Sequence, residues 1–282
     1  MTIFDFRVRP PYKGFMDTIL YQPESAPVKL FTDRIGLDYP ESARQKSMDM
    51  MFQEMDDAGI VKGLLVGRES GVYGSVSNTD LAELVNAHPD RFVAAASIDT
   101  TDRRACIAQI NKALGDGLIA VNFEPGNATV PLYTDDRRLY PIYAYCEDKE
   151  IPVLIQAGGL AGPDCTYTAP HLIEHVCTDF PTLKVVAVHG GWPWVNEIIH
   201  VAWRRPNLYL SPDVYLCGQS GMDEYVRAAN GTLSDRFLFA TTYPLAGFAQ
   251  YQRFIDELPL DASAKERFFY QNAEEVLGIK VA

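Results

Sequence analysis

The sequence predicts a single (β/α)8 barrel over residues 1–282, with a long loop after the first strand. Three observations carry this. Short apolar runs alternate with helical patterns along nearly the whole chain. Several runs, such as Val185-Val186-Ala187-Val188, are apolar throughout, as parallel strands buried on both faces require. The strand–helix units follow one another with no linker or composition shift to divide them.

The strands are expected at Ile3–Arg9, Val61–Gly67, Phe92–Ser97, Leu118–Phe123, Pro152–Gln156, Lys184–His189, Leu208–Ser211 and Phe237–Thr241. Helical stripes lie between them. Met48, Met51, Phe52 and Met55 follow an i, i+3, i+4, i+7 pattern, and Gly59 stops that helix. Ile107, Ile110 and Leu114 form another stripe, and Leu139, Ile142, Tyr143 and Cys146 a third. About 35 residues rich in Pro, Tyr and Phe separate Arg9 from the first of these helices. Because this loop follows strand 1, it rises from the face where barrels keep their active sites, as a lid or an oligomer contact.

Bulk properties narrow the function. The chain carries 25 basic and 37 acidic residues, a formal charge of −12, which argues against nucleic acid or an anionic membrane as partner. The five cysteines are scattered and include no C-x-x-C pair, as expected of a reduced, cytoplasmic protein without disulfides or a zinc knuckle. No apolar run suggests a signal peptide or a membrane span.

In a barrel the reacting groups come from the C-terminal strand ends. These ends supply Arg7 and Arg9; Arg68 and Glu69; Ser97 and Asp99; Asn122 and Glu124; Gln156; His189-Gly190-Gly191-Trp192; Ser211 and Asp213; and Thr241, Thr242 and Tyr243. Arg7 and Arg9 lie two apart on a strand, so they share a face. Two buried guanidinium groups need an anion, either a substrate carboxylate or the side chains of Glu124 and Asp213. His189 ends an apolar strand, where an imidazole serves as acid/base or metal ligand. Tyr12, Tyr73, Tyr167, Tyr215, Tyr243, Trp192 and Trp194 fall near loops of the same face and suit a small organic ligand. His171 and His175 have the i, i+4 spacing of a metal pair but sit on a helix outside the barrel. His88 reads as a helix-end residue and His200 as a packing residue.

The order of these strand ends resembles the amidohydrolase-related family of metal-dependent hydrolases and nonoxidative decarboxylases. The resemblance rests on Phe4-Asp5, Ile151-Pro152-Val153, His189-Gly190-Gly191, Tyr243-Pro244 and Gln271-Asn272-Ala273-Glu274-Glu275-Val276-Leu277-Gly278. It implies a barrel with a divalent metal held by a His-x-His on strand 1, a histidine on strand 5 and an aspartate on strand 8. Here those positions read Arg7-Val8-Arg9, Gln156 and Thr242, and only the strand 6 histidine, His189, matches. Arginine stays protonated and is no metal ligand, so the usual metal centre is expected to be absent.

The sequence therefore predicts a hydrolase or a decarboxylase-type lyase acting on a small organic carboxylate or lactone, without a cofactor. Arg7 and Arg9 bind the anion. His189 moves a proton, assisted by Glu124 or Asp213, and Gln156, Trp192, Thr242 and Tyr243 complete the substrate site. Two alternatives stand beside this one. The first is a noncatalytic relative that binds a small acid, its pocket plugged by Arg7–Glu124 and Arg9–Asp213 pairs. The second is a metal-dependent hydrolase with a site rebuilt from Glu124, His189 and Asp213. The sequence does not fix the oligomeric state; a homo-oligomer paired through the long loop is one option.

Overall fold

The computed structural model describes residues 2–281. Seven parallel strands form one sheet in sequential order: β1 (Ile3–Val8), β2 (Ile60–Val66), β3 (Phe92–Ser97), β4 (Ala120–Phe123), β5 (Val153–Gln156), β6 (Val185–Val188) and β7 (Leu208–Ser211). Parallel neighbours need a crossover between each pair, and helices supply it. Before β2 come α1 (Ala26–Ile35), α2 (Glu41–Arg44) and α3 (Met48–Asp57). Then α4 (Asn78–Ala87), α5 (Arg103–Gly115), α6 (Tyr140–Asp148), α7 (Pro170–Asp179) and α8 (Val195–Arg204) each lead to the next strand. After β7 follow α9 (Met222–Asn230), α10 (Phe248–Glu257), α11 (Ala262–Glu266) and α12 (Asn272–Leu277).

The apolar stripes fall where their spacing predicts. In α3, Met51 and Met55 are buried, the Ser47 hydroxyl caps the Met50 amide at 3.3 Å, and Gly59 sits at φ 69° just beyond. The strand side chains divide into two layers. Phe4, Phe6, Leu64, Val66, Leu154 and Val186 fill the space enclosed by the sheet, together with Val276 and Leu277 of α12. Residues of opposite parity, such as Leu65, Val121 and Val185, pack outward against the helices.

Two expectations need correction. The eighth strand is not regular. Leu238 donates to Leu210 O at 2.9 Å on the β7 side, and Phe6 donates to Phe239 O at 2.8 Å on the β1 side. Two other donors go elsewhere: the Thr241 amide to the Asp5 carboxylate at 3.0 Å and the Phe239 amide to Phe268 O at 3.0 Å. A side chain and a helix thus take bonds that a strand ladder would use, leaving isolated bridges at Phe237 and Tyr243. The long segment after β1 is not a bare loop either. It folds into short 3₁₀ turns at Lys13–Asp17 and Ile19–Tyr21 and into α1 and α2. Phe15, Val28 and Phe31 anchor it in the outer core. No helix among the described residues is long and apolar enough to cross a membrane.

Candidate active site

The site begins with an irregularity in β1. Asp5 is opposite Gly63 and Val8 opposite Leu65, so three steps along β1 match two along β2. Such a bulge inserts one residue and re-aims the side chains beyond it. Below it Phe4 and Phe6 point into the enclosed core; above it Arg7 and Arg9 line a pocket. Without the extra residue, Phe6 and Arg7 would face opposite sides. The shift falls between Asp5 and Val8, and Arg7 and Arg9 still share a face, with Val8 between them packed in the outer core.

The two guanidinium groups are 2% and 1% exposed. Arg7 Nη2 donates to Gln156 Oε1 at 2.8 Å, and Gln156 Nε2 donates in turn to Asn122 Oδ1 at 3.2 Å. Nε and Nη1 of Arg7, and Nε and Nη2 of Arg9, are buried with no protein partner among the described residues. Nε and Nη2 make up the lateral edge of a guanidinium, the pair that grips a carboxylate bidentately.

Both acidic candidates are engaged elsewhere. Glu124 accepts from Arg68 Nε at 3.0 Å, Asn122 Nδ2 at 3.2 Å and Asn127 Nδ2 at 3.3 Å. His189 Nδ1 lies 2.8 Å from Asp213 Oδ2. That contact is close but poorly aligned, and neither atom completes a well-directed hydrogen bond. The Arg7–Glu124 and Arg9–Asp213 pairs that would plug the pocket are thus not formed. The pocket holds about 510 Å³ of empty space, its open mouth included. Its charged lining consists of Arg7, Arg9 and Arg68, beside His189.

Burial lowers Arg7 to about 10 against the pull of Asp213, and it lowers Arg9 well below the ordinary value, aided by Arg7 and Arg68. Burial alone would raise Glu124; Arg68, Arg9 and Arg7 outweigh it and hold the carboxyl below the usual range. Burial also holds His189 below its ordinary value. Asp213 raises it, and Arg7 and Arg9 lower it again. A neutral imidazole with Nδ1 turned toward Asp213 leaves Nε2 as the nitrogen able to meet a ligand.

Three residues here sit in the left-handed region without being glycine: His189 at φ 68°, Asp213 at 43° and Thr242 at 59°. Such strain persists only where the surroundings dictate it, and it gathers at functional sites. Gly190 and Gly191 continue the turn after His189 at φ 60° and 77°. A Cβ on them would lie 2.8 Å from Pro212 Cα and from Ile198 Cβ, so they serve close packing of the turn rather than ligand approach.

The remaining candidates divide. Gln156 and Thr242 line the pocket. Trp192 stands behind it, stacked on Tyr215 at 4.6 Å and donating to Ser220 O. Tyr243 is packed on Phe248 with its hydroxyl 2.7 Å from Ser42 Oγ, away from the pocket. Arg68, Tyr73, Asn127 and Tyr215 join the lining. Strand-end position already marked Arg68, but nothing local ties it to Glu124, 56 residues on. His171 and His175 lie on α7 with rings 5.7 Å apart, and His175 contacts Asp135 at 2.7 Å. His88 packs at a tilt of 57° against Phe52, and the exposed His200 stacks on Trp203.

The residues present do not fit a divalent metal. Where the resemblance implies a strand 1 His-x-His, two guanidinium groups offer protons in place of lone pairs. Among the described residues no three His, Cys, Asp or Glu side chains gather as a ligand set, so Glu124, His189 and Asp213 are not brought together as one.

Comparison with known proteins agrees with this architecture. An uncharacterized TIM-barrel protein from Bordetella bronchiseptica is 47% identical, covers 99% of both chains and superposes with a TM-score of 0.95. The 2,6-dihydroxybenzoate decarboxylase from Rhizobium shares the fold at 16% identity, 99% coverage of both chains and a TM-score of 0.70. So does 4-oxalomesaconate hydratase from Rhodopseudomonas palustris, at 19% identity, 98% and 96% coverage and a TM-score of 0.67. No curated protein matches the chain. The amidohydrolase family model (Amidohydro_2) matches residues 29–279, and the chain belongs to that family.

Proposed function

We propose that this protein is an enzyme of the lyase type, a decarboxylase or hydratase, acting on a small organic carboxylate. The carrying observation is the distribution of partners in the pocket. Glu124 is held by Arg68 and Asp213 faces His189, while the lateral edge of Arg9 and the Nε and Nη1 of Arg7 meet no protein acceptor among the described residues. A buried cation without an acceptor is costly, and an anionic ligand removes that cost. That the fold's neighbours include a decarboxylase and a hydratase of organic acids supports the reaction class.

In this mechanism Arg9 grips the carboxylate through its lateral edge. Arg7, oriented by Gln156, stabilises negative charge that develops on the substrate. Neutral His189 takes or returns a proton at Nε2, and Asp213 stabilises the imidazolium that forms. Hydrolysis of a lactone or activated ester would use the same groups and is the second reaction to assay. The test is calorimetric titration with small carboxylic acids, followed by turnover assays on the acids that bind. The reading is supported if binding occurs and is lost in Arg9→Ala, and if His189→Gln keeps binding but loses turnover. Wild-type affinity in Arg9→Ala for every acid that binds would overturn it.

A further inference from the structure

Resting on the carboxylate reading above, we infer that the pocket selects singly charged acids and rejects dicarboxylates of matching size. Three arginines suggest the opposite at first sight, because they could hold two carboxylates. The pairing excludes that. Arg68 is already joined to Glu124 at 3.0 Å, with both side chains buried, so this pair adds no net charge. Asp213 contacts His189 at 2.8 Å and is fully buried. Arg7 and Arg9 remain, and Asp213 offsets one of them. With the imidazole neutral, one positive charge is left for a ligand to neutralise.

The other side chains agree. Beyond the arginines the pocket is walled by apolar groups, among them Ile19, Leu20, Phe31 and Leu245, and by the neutral polar side chains of Tyr73, Asn127, Gln156 and Tyr215. A second carboxylate would have to lie against these neutral groups, facing no cation but Arg68, which Glu124 already neutralises. A neutral oxygen is better served. The Thr242 hydroxyl lines the pocket and is buried without a partner. Asp5 lies outside this lining, its oxygens taken by the Arg7 amide and by Thr241, and burial raises it to about 7, so at pH 6 it adds little negative charge. The substrate class is thus a monocarboxylic acid bearing a neutral oxygen substituent.

The experiment measures dissociation constants of the wild-type protein by calorimetry at pH 6 for size-matched probes. The pairs are butanoate against butanedioate, and 2-hydroxybenzoate against benzene-1,2-dicarboxylate. The expected result is at least tenfold tighter binding of the monocarboxylate in a pair. Glu124→Gln removes a negative charge without removing volume, and it should narrow or invert that ratio. Equal or tighter binding of the dicarboxylate by the wild type would overturn the inference while leaving the carboxylate reading intact. Absence of binding by all four acids would overturn both. Should Glu124→Gln not fold, Asp213→Asn makes the same change of charge and is read the same way.

Discussion

His189 Nδ1 and Asp213 Oδ2 lie 2.8 Å apart across the ends of β6 and β7, and both residues hold left-handed backbone conformations. The contact is close without being a well-directed hydrogen bond, and His189 lines the pocket while Asp213 does not.

The pair makes a prediction about pH. Burial and the two arginines hold His189 below its ordinary value, so the base form prevails at neutral pH. The apparent kcat/KM should therefore be flat near neutrality and fall as pH drops through that lowered value. Asp213→Asn removes the group that raises His189, so the acid limb should move to still lower pH. His189→Gln should cost roughly 10²–10⁴ in kcat. A pH–rate profile of each protein checks these three statements.

Arg9 is predicted to exchange stability for function. Its buried lateral edge meets no acceptor in the folded chain, and burial lowers its proton affinity. Arg9→Met keeps most of the volume and removes the charge. The ligand-free variant should be more stable by about 1–4 kcal/mol, as when buried ionic groups give way to apolar ones. It should also fail to bind any acid that the wild type binds. Urea unfolding and calorimetry on the same preparation test both halves.

Asp5 gives a stability prediction with the opposite sign to most carboxylates. Burial raises its carboxyl from 3.8 to about 7, outweighing donors from Thr241 and from the Arg7 amide. The folded protein therefore holds this proton in a range where the unfolded chain has lost it. The stabilising contribution is complete below 3.8 and is lost as pH rises through about 7. Asp5→Asn does not titrate. The stability of wild type relative to Asp5→Asn should fall between about pH 4 and pH 7, by at most about 4 kcal/mol. Denaturant melts at several pH values provide the comparison.

Gly159 is predicted to be required for the placement of Tyr215. It sits at φ 64°, and a Cβ there would lie 2.1 Å from the tyrosine hydroxyl oxygen. Gly159→Ala should destabilise the protein by about 1–3 kcal/mol through backbone strain and the clash. It should also tilt Tyr215 off the Trp192 ring, where the planes now differ by 10°. Thermal melting and tryptophan fluorescence are the measurements.

Much of the fold could be read from periodicity, because period 2 and period 3.6 are local signals. The seven strands of the sheet and the helices marked by the Met48, Ile107 and Leu139 stripes form near their expected positions. The eighth strand failed because its apolar pattern said nothing of Asp5, whose side chain takes the Thr241 amide. The helices after β1 were missed because Pro and aromatic residues obscured the α1 pattern, although Val28 and Phe31 already lay three apart.

By itself the sequence determined which side chains stand at the strand ends and that Arg7 and Arg9 share a face, since both follow from alternation along a strand. Tertiary structure alone decided how the charges pair. Glu124 meets Arg68 because β2, β3 and β4 are consecutive neighbours, and Asp213 meets His189 because β6 adjoins β7. The β1 bulge, also invisible in the alternation, turned the two arginines from the strand's natural register into the pocket. The physical reason is range: alternation is set by neighbours in the chain, whereas a buried charge takes whichever partner the curvature of the sheet brings within hydrogen-bond distance.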